Sequence, residues 1–254
     1  MTTYTVSYPK GGSTKTATAA ELASQLASRG RKVLCIDVDE QASLSERFGF
    51  TEESDVPGMA AEVLTGDVKI GDAIAASPVV PGVDMLVGGQ DLRNVNLYNV
   101  RDLVTSLRDL LPTIKDDYDD IVIDTPPALA ELTLAGLAAA DVLISPLVCE
   151  TEAFAQIDRF EEVINAQLSS RIRPGLKINA LIPTRYDARR KLDRDIVETL
   201  QAEYGDRIFV TAPIREGVAV REAFTAGLPV GRYAPDSKPA QDYAVVLSQI
   251  IERA

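Results

Sequence analysis

Short apolar runs alternate with longer stretches of helical periodicity along most of this chain. Most of the apolar runs are continuous rather than alternating, which is typical of strands buried on both faces of a sheet. The seven predicted strands cover residues 4–8, 33–37, 83–87, 120–124, 142–148, 177–182 and 207–210. The predicted helices cover residues 16–29, 100–111, 129–139, 151–169, 192–204 and 239–253. Repeated strand–helix units predict an α/β fold, with a mostly parallel, twisted sheet and helices on both faces.

The same pattern predicts a single domain over residues 1–254, because no linker-like stretch, low-complexity run or internal repeat interrupts it. Residues 54–99 are the least regular segment, and we expect them to form a surface excursion around one strand. Ligands of such folds bind beyond the carboxyl ends of the strands. Candidate chemistry is therefore expected in the residues that directly follow each strand.

The composition is that of a globular protein, and it excludes several kinds of enzyme. Of the 254 residues, 46% are hydrophobic and 25% are charged, which argues against a disordered or fibrous chain. The sequence contains no histidine, so a Ser-His-Asp triad and a histidine-bound metal are excluded. Two cysteines, Cys35 and Cys149, are too few for a disulfide scaffold or a four-thiolate zinc site, and we expect both to be buried and unpaired.

No segment of the sequence predicts a membrane anchor or a secretory signal. The longest apolar runs are far shorter than the ~20 residues that span a bilayer. Residues 1–8 lack the pattern of a signal peptide, and residues 243–254 lack a lysine-rich amphipathic face. We therefore expect a cytoplasmic protein that does not bind membranes.

The first predicted strand leads into a loop with the composition of a phosphate site, Pro-Lys-Gly-Gly-Ser-Thr-Lys-Thr at 9–16. Glycines let successive backbone N–H groups point at phosphate oxygens, and the dipole of the next helix favours a bound anion. In such loops a lysine contacts the phosphate and a threonine hydroxyl can ligate Mg²⁺. The standard pattern G-x-x-x-x-G-K-[ST] fails at Pro9 and Thr14, whereas K-G-G-x-x-K-[ST] is matched, with a second lysine at Lys10. A purely structural turn is the alternative. The residues expected to bind the nucleotide are Gly11, Gly12, Ser13, Thr14, Lys15, Thr16 and Ala17.

Carboxylates follow two further predicted strands. Asp37 and Asp39 come at the end of strand 33–37, and on an extended chain their side chains project to the same side. Two such groups beside a phosphate loop can hold Mg²⁺ through water and orient an attacking water; a solvated acidic turn is the alternative. Asp124 ends the buried strand 120–124, where a charge needs a partner. Mg²⁺ in the phosphate site is one such partner, and helix capping is the alternative role.

Three segments together resemble the deviant Walker A ATPases of the ParA/MinD family, and the resemblance extends over nearly the whole chain. They are the loop at 9–16, the run Asp-Val-Asp-Glu-Gln at 37–41 and the run Asp-Thr-Pro-Pro at 124–127. Thr14 and Glu40 stand where the family usually has glycine and proline. Later segments favour the ParA/Soj partition branch. The resemblance implies a deviant P-loop NTPase fold and an ATPase with ATP and Mg²⁺ as cofactors.

The resemblance also implies roles for individual residues. Lys10 would be the signature lysine, which reaches the phosphates of the partner subunit in an ATP-bound homodimer, and Glu150 would lie near the dimer interface. Lys15 would contact the β- and γ-phosphates, and Asp39 would position the hydrolytic water. The residues implied at the metal are Thr16, Asp37 and Asp124. Those implied near the adenine are Thr184, Pro213 and Arg215.

The distribution of charge, more than its sum, bears on what the chain binds. The net charge of −12 taken whole argues against a nucleic-acid ligand. Residues 171–232, however, carry 12 basic and 8 acidic residues, a net charge of +4, and the remaining chain carries −16. A basic cluster of this kind predicts weak, sequence-independent contacts with DNA phosphates; a solvated helix face is the alternative. The predicted DNA-binding residues are Arg189, Arg190, Lys191 and Arg221.

The resulting hypothesis is an ATP-dependent dimeric switch that binds non-specific DNA, associates with the nucleoid, and partitions plasmid or chromosome DNA with a ParB-like adaptor. The membrane-binding branch of the family needs a basic amphipathic tail and the iron–sulfur branch needs bridging cysteines, so both are disfavoured. Three alternatives stay open. The same ATPase could position another cargo, such as a protein microcompartment or a chemosensory cluster; the chain could be a ligase-like enzyme that phosphorylates a small carboxylate; or it could be a degenerate nucleotide-binding module without hydrolysis.

Overall fold

One eight-stranded sheet organises the part of the chain that the computed structural model describes, residues 1–98 and 102–254. In chain order the strands are β1 (Thr2–Val6), β2 (Val33–Asp37), β3 (Ala75–Ala76), β4 (Val83–Leu86), β5 (Asp120–Asp124), β6 (Val142–Val148), β7 (Ile178–Thr184) and β8 (Phe209–Val210). They are hydrogen-bonded in the order β3-β4-β2-β5-β1-β6-β7-β8. Neighbouring strands are parallel except for β3 and β4. The mostly parallel sheet predicted from the sequence is confirmed.

Helices connect the strands and cover the sheet. They are α1 (Lys15–Ser28), α2 (Ser43–Arg47), α3 (Ala60–Thr65), α4 (Ile70–Ala73), α5 (Leu103–Leu110), α6 (Glu131–Ala139), α7 (Ala153–Val163), α8 (Lys191–Tyr204), α9 (Val218–Thr225), α10 (Val230–Tyr233) and α11 (Lys238–Ile251). Two 3₁₀ segments occupy Gln90–Tyr98 and Leu111–Ile114, and a π-helical stretch, Ile164–Ser169, continues α7.

Both faces of the sheet are covered because its central strands are apolar on both sides. Along β2, Val33 and Cys35 pack with α1 and α11, whereas Leu34 and Ile36 pack with α5 and α6. Successive side chains of a strand point to opposite faces, so a continuous apolar run requires two helical layers. Helices α7 and α8 cover β6 and β7 on the same face of the sheet as α5 and α6. Cys35 and Cys149 are both buried and unpaired, as expected.

The observed elements differ from the predicted ones chiefly at their ends and in the shortest pieces. β1 begins and ends two residues before the predicted strand at 4–8. The helix predicted at 100–111 begins outside the described residues, and α5 covers Leu103–Leu110. Strand β3 and helices α2, α3, α4, α9 and α10 are not predicted, because each has at most eight residues and so few residues show no period.

The expectation of a surface excursion at residues 54–99 is wrong for the part that the structure describes. This segment contains α3, α4 and β4, and its apolar side chains enter the core beside β2 and β5. The buried members include Val63, Leu64, Ile70, Leu92 and Val95. Helices α3 and α4 are only six and four residues long, so their apolar faces left no periodic signal in the sequence.

The helices were compared with the length and hydropathy of membrane-spanning segments. Across residues 1–98 and 102–254, no helix has both the length and the apolar character that crossing a bilayer requires.

Glu21 is a buried carboxylate of α1 that makes the stability of the fold depend on pH. Its side chain accepts a hydrogen bond from the Gly231 amide at 3.0 Å, and burial raises its pKa from 4.5 to about 7. The folded protein therefore keeps a proton that the unfolded chain releases. Consequently the contribution of Glu21 to stability is largest below pH 4.5 and is lost as the pH rises to about 7.

We expect Glu21→Gln to be more stable than the parent protein above neutral pH, by roughly 3 kcal/mol at most. The difference should shrink as the pH falls, because the parent carboxyl group is then neutral. Urea unfolding at about pH 5.5 and about pH 8 measures the effect, and the exposed Glu203→Gln controls for the loss of one negative charge. A stability difference that is the same at both pH values contradicts the assignment.

Candidate nucleotide-binding site

The loop between β1 and α1 curls through two residues with left-handed backbone conformation. Gly12 has a φ of 72° and Thr14 a φ of 67°. Glycine adopts this conformation freely, whereas a β-branched residue is strained there, at a cost of about 1–3 kcal/mol. The Ser13 hydroxyl donates to the carbonyl oxygen of Lys10 at 3.0 Å and closes the turn. The loop therefore keeps its curvature at Thr14 although the usual glycine is missing.

Lys15 is the first residue of α1, and its ammonium group reaches back across this loop. The residue is 7% exposed, and its Nζ donates to the carbonyl oxygen of Lys10 at 3.0 Å. Burial lowers the pKa of Lys15, and the carboxylates of Asp124 and Asp39 oppose that shift. A buried cation beside a helix N-terminus and a loop of backbone N–H groups is suited to bind phosphate.

Thr16 and Asp124 meet where α1 begins and β5 ends. The Thr16 hydroxyl donates to Asp124 Oδ2 at 2.6 Å, and burial, together with the nearby Asp37, raises the pKa of Asp124 to about 8. Asp124 Oδ1 is buried and has no hydrogen-bond partner in the described part of the chain. Such an orphaned oxygen is costly unless a cation satisfies it.

These two residues therefore fit a Mg²⁺ site. Mg²⁺ is usually held by one or two carboxylates together with substrate phosphates and water. Within the described ranges no group of three or more carboxylates and cysteines could hold a metal ion. Thr16 and Asp124 would hold Mg²⁺, whose charge would offset that of the phosphates.

Asp37 and Asp39, which are predicted to project to the same side, make different contacts. β2 ends at Asp37, which is fully buried. Its Oδ2 accepts hydrogen bonds from the Leu44 and Ser45 amides and the Ser45 hydroxyl at 2.9–3.1 Å. Its Oδ1 accepts one from the Asp39 amide at 3.1 Å. Asp37 thus anchors α2, and its place at the metal stays a prediction.

A cavity of about 540 Å³ lies over the loop and brings its residues together with other elements. It is lined by Gly11, Gly12, Ser13, Thr14, Lys15, Thr16, Ala17, Asp39, Ser43, Arg47, Pro127, Val220, Arg221, Phe224 and Thr225. The residues predicted to contact the phosphates all belong to this wall. Asp39 belongs to it too, as its predicted place beside the terminal phosphate requires. These roles stay predictions, which the placement supports.

A second cavity, of about 280 Å³, adjoins the first and holds most of the residues implied near the adenine. Thr184 and Arg215 line it, whereas Pro213 does not and its neighbour Ile214 does. The Arg215 guanidinium donates to the Asp242 carboxylate at 2.6–2.7 Å, which fixes its plane. The two cavities share the wall residues Gly12, Thr14, Val220 and Arg221 and therefore lie side by side.

Lys10 lies on the outer side of the loop and is ion-paired within its own chain. Its ammonium group contacts the Glu150 carboxylate and lies 3.4 Å from that of Glu152. Hydrogen bonding to Glu150 raises the pKa of Lys10. Exposed pairs of this kind contribute little to stability, so Lys10 can exchange them for another anion at low cost. Dimer-interface roles for Lys10 and Glu150 stay predictions.

The predicted DNA-binding residues fall in two places. Arg189, Arg190 and Lys191 lie at the exposed start of α8, where the Arg189 side chain is 90% exposed. Arg189 donates to the Asp187 carboxylate at 2.8–3.2 Å and holds the pKa of Asp187 well below its usual range. Arg221 belongs to α9 and lines both cavities.

Sequence reasoning missed the lining residues that come from short or distant elements. Arg47 belongs to α2, Phe224 to α9 and Tyr243 to α11. No local motif marks them, because they reach the site only through the packing of these helices. Glu40, which stands in place of the family's proline, pairs with Arg93 at 3.0 Å.

Comparisons with known proteins agree with this geometry. A family model described as an AAA domain matches residues 1–178. The chromosome-partitioning ATPase Soj of Treponema pallidum is 32% identical over 249 residues, which cover 96% of this chain and 94% of Soj. The structure of cobyrinic acid a,c-diamide synthase from Mycobacterium smegmatis, with bound ATP analogue and magnesium, is 30% identical, with a TM-score of 0.85 over 100% of this chain and 95% of that one. The cell division ATPase MinD of Pyrococcus furiosus is 26% identical, with a TM-score of 0.82 over 100% and 99%.

Taken with the sheet and its phosphate loop, these likenesses define a P-loop ATPase. The site departs from the standard loop at Pro9 and Thr14 and carries the additional Lys10. The chain belongs to the ParA/MinD family of deviant Walker A ATPases. The ATPase activity and the cofactors expected from the sequence, ATP and Mg²⁺, are confirmed at the level of this family.

Proposed function

We propose that residues 1–254 form one ATPase domain that acts as an ATP-dependent dimeric switch. It binds DNA without sequence specificity and partitions plasmid or chromosome DNA with a ParB-like adaptor. Two ATP-bound copies would meet over their phosphate loops, and hydrolysis would separate them. The observation that carries the proposal is the exposed basic run at 189–191, on a chain whose nucleotide site is of the ParA/MinD type.

The relatives support the partition role. Soj of Treponema pallidum is named a chromosome-partitioning ATPase, and its similarity extends over 96% of this chain. Because this chain and Soj have nearly the same length and resemble each other throughout, a nucleotide-dependent switch common to both is the simplest interpretation. Cytoplasmic, nucleoid-associated localisation would follow from the DNA contacts.

Charge explains why DNA binding should require the dimer. Arg189 and Arg190 are 90% and 58% exposed, but Asp187 pairs with the first and Glu216 lies 3.6 Å from the second. The net charge of −12 opposes the approach of DNA at long range. One protomer therefore offers few phosphate contacts, whereas two linked protomers present both basic runs to one duplex, and their contacts reinforce each other.

Retention of DNA in different nucleotide states tests this proposal. We expect the parent protein to retain DNA with Mg²⁺-ATP and to release it with ADP. The double variant Arg189→Ala/Arg190→Ala should bind about tenfold or more weakly at low salt. The slope of log K against log salt should fall by about 0.9 for each DNA phosphate that the variant no longer neutralises.

A matched variant separates this surface from overall charge. Arg29→Ala/Arg253→Ala removes two exposed arginines that follow α1 and α11, near the amino ends of the strands and away from the run at 189–191. This variant should retain DNA as the parent does. Equal losses of DNA affinity in the two double variants contradict a role for the run at 189–191. Equal DNA retention with ATP and with ADP contradicts the nucleotide-dependent switch.

The likeness to a structure named cobyrinic acid a,c-diamide synthase supports a second candidate. In that case the chain would be a ligase-like enzyme that phosphorylates a small carboxylate. The same experiment distinguishes the two. No DNA retention in either nucleotide state, combined with ATP turnover that rises with an added carboxylate substrate, favours the enzyme.

A further inference from the structure

Arg47, the last residue of α2, is a buried arginine that has no anionic partner among the described residues. The residue is 6% exposed, and its Nε is buried without a hydrogen-bond partner. Within residues 1–98 and 102–254 its guanidinium forms no ion pair, although ten other cationic side chains there do. Arg47 therefore differs from those side chains in being both buried and unpaired.

The surroundings of Arg47 do not compensate for this burial. Desolvation lowers the pKa of Arg47 and is the largest effect on it; Tyr243, Glu21, Asp124 and Glu46 oppose the shift, but none of them forms an ion pair with Arg47 in the described part of the chain. Its Cζ lies 5.0 Å from the centroid of the Phe224 ring. A cation–π contact of this kind recovers only part of the cost of burying a charge, and it accepts no N–H in the guanidinium plane.

The position of Arg47 indicates what the missing partner is. Arg47 lines the cavity over the phosphate loop, together with Lys15 and Thr16. The third cation of that wall, Arg221, is exposed and needs no ligand. Two buried cations, Lys15 and Arg47, thus border a space whose loop is built to receive phosphate.

We infer that Arg47 is a nucleotide-binding residue whose guanidinium takes a phosphate oxygen of the ATP or ADP in this cavity. Arginine presents a planar fork of donors that matches phosphate, and such bonds are strengthened where water is excluded. The inference rests on ATP binding by the family, not on the DNA-dependent switch, so each stands if the other fails.

The contact would also link the nucleotide to two helices of the site. Helix α2 follows the loop that carries Asp39, and Phe224 of α9 stacks on Arg47. Once a phosphate holds Arg47, both elements are fastened to the ligand. The empty and nucleotide-bound protein should therefore differ in the order of α2.

Arg47→Met tests the inference, with Arg253→Met as the matched control. Arg253 also stacks on a phenylalanine, with its Cζ 4.1 Å from the Phe209 ring centroid, but it lies away from the nucleotide cavity. Calorimetric titration with Mg²⁺-ADP and a non-hydrolysable ATP analogue gives the affinities, and thermal unfolding of the nucleotide-free protein gives Tm. We expect Arg47→Met to bind both nucleotides about 10- to 100-fold more weakly while its Tm without nucleotide is unchanged or higher.

Each outcome bears on the inference. Because the unpaired charge destabilises the empty protein, its removal should not lower Tm; a lower Tm with unchanged nucleotide affinity assigns Arg47 to packing and overturns the inference. Arg253→Met should bind nucleotides as the parent does, and an equal loss there also overturns it. If Arg47→Met fails to fold, Arg47→Gln decides: weaker binding at an unchanged Tm supports the inference, and parental affinity overturns it. Failure of the parent protein to bind either nucleotide would refute the ATPase assignment instead.

Discussion

Lys15→Ala should abolish measurable ATP binding, with a loss of affinity of about 100-fold or more. Lys15 is 7% exposed and lies beside a loop whose backbone is already curled for phosphate. In such a dry site a positive charge acts on phosphate with little screening. The alanine variant would leave the loop and its cavity in place but without this cation. Calorimetric titration with Mg²⁺-ATP measures the loss.

Lys10→Ala is the matched control for this experiment, because it removes the other lysine of the same loop. Lys10 is exposed and paired with Glu150 rather than buried in the cavity. We expect Lys10→Ala to bind ATP with nearly parental affinity but to stay monomeric, as sedimentation or light scattering would show. Parental ATP affinity in Lys15→Ala, or equal losses in both variants, contradicts the separate roles assigned to the two lysines.

Asp39→Ala should bind ATP but hydrolyse it about 100-fold more slowly or worse. Asp39 lines the cavity beside the loop, at a position from which a carboxylate can orient water toward the terminal phosphate. Since hydrolysis is proposed to separate the subunits, the variant should accumulate as an ATP-bound dimer. Single-turnover phosphate release and size-exclusion chromatography with ATP measure the two effects.

The neighbouring residue provides the control. Glu40→Ala removes an adjacent carboxylate that pairs with Arg93 instead of lining the cavity over the loop. Hydrolysis should continue in this variant. Hydrolysis at the parental rate in Asp39→Ala refutes the catalytic assignment, and an equal loss in Glu40→Ala indicates that the loop as a whole, not the Asp39 carboxylate, is required.

The elements that were predicted correctly from the sequence are those whose pattern is contained in a short stretch of neighbouring residues. The strand leading into the phosphate loop, the helix that follows it and the buried strand ending at Asp124 each carry their signal within a dozen residues. The strand that ends at Asp124 carries a continuous apolar run and is buried on both faces; such a run can be recognised without knowing what packs on it. The family resemblance depended on the same local motifs.

Other features could not be read locally. Asp37 and Asp39 are two residues apart, and an extended chain would aim both at one site. The hydrogen bonds that Asp37 accepts from Leu44 and Ser45 instead attach it to α2, whereas Asp39 lines the cavity over the loop. Arg221 belonged to the basic segment by sequence, yet α9 places it in the nucleotide cavities. Only the packing of short helices determines these positions.

Local patterns in the sequence define the class of this protein. The phosphate loop, the strand-end carboxylates and the alternation of strands and helices are local patterns, and backbone geometry and burial translate them directly into a parallel sheet with a nucleotide site at its carboxyl edge. The tertiary structure decided which charges face that site. Arg47 is buried in its wall without a partner, because α2, α9 and the loop converge there from distant parts of the chain, and no spacing in the sequence records how closely they approach.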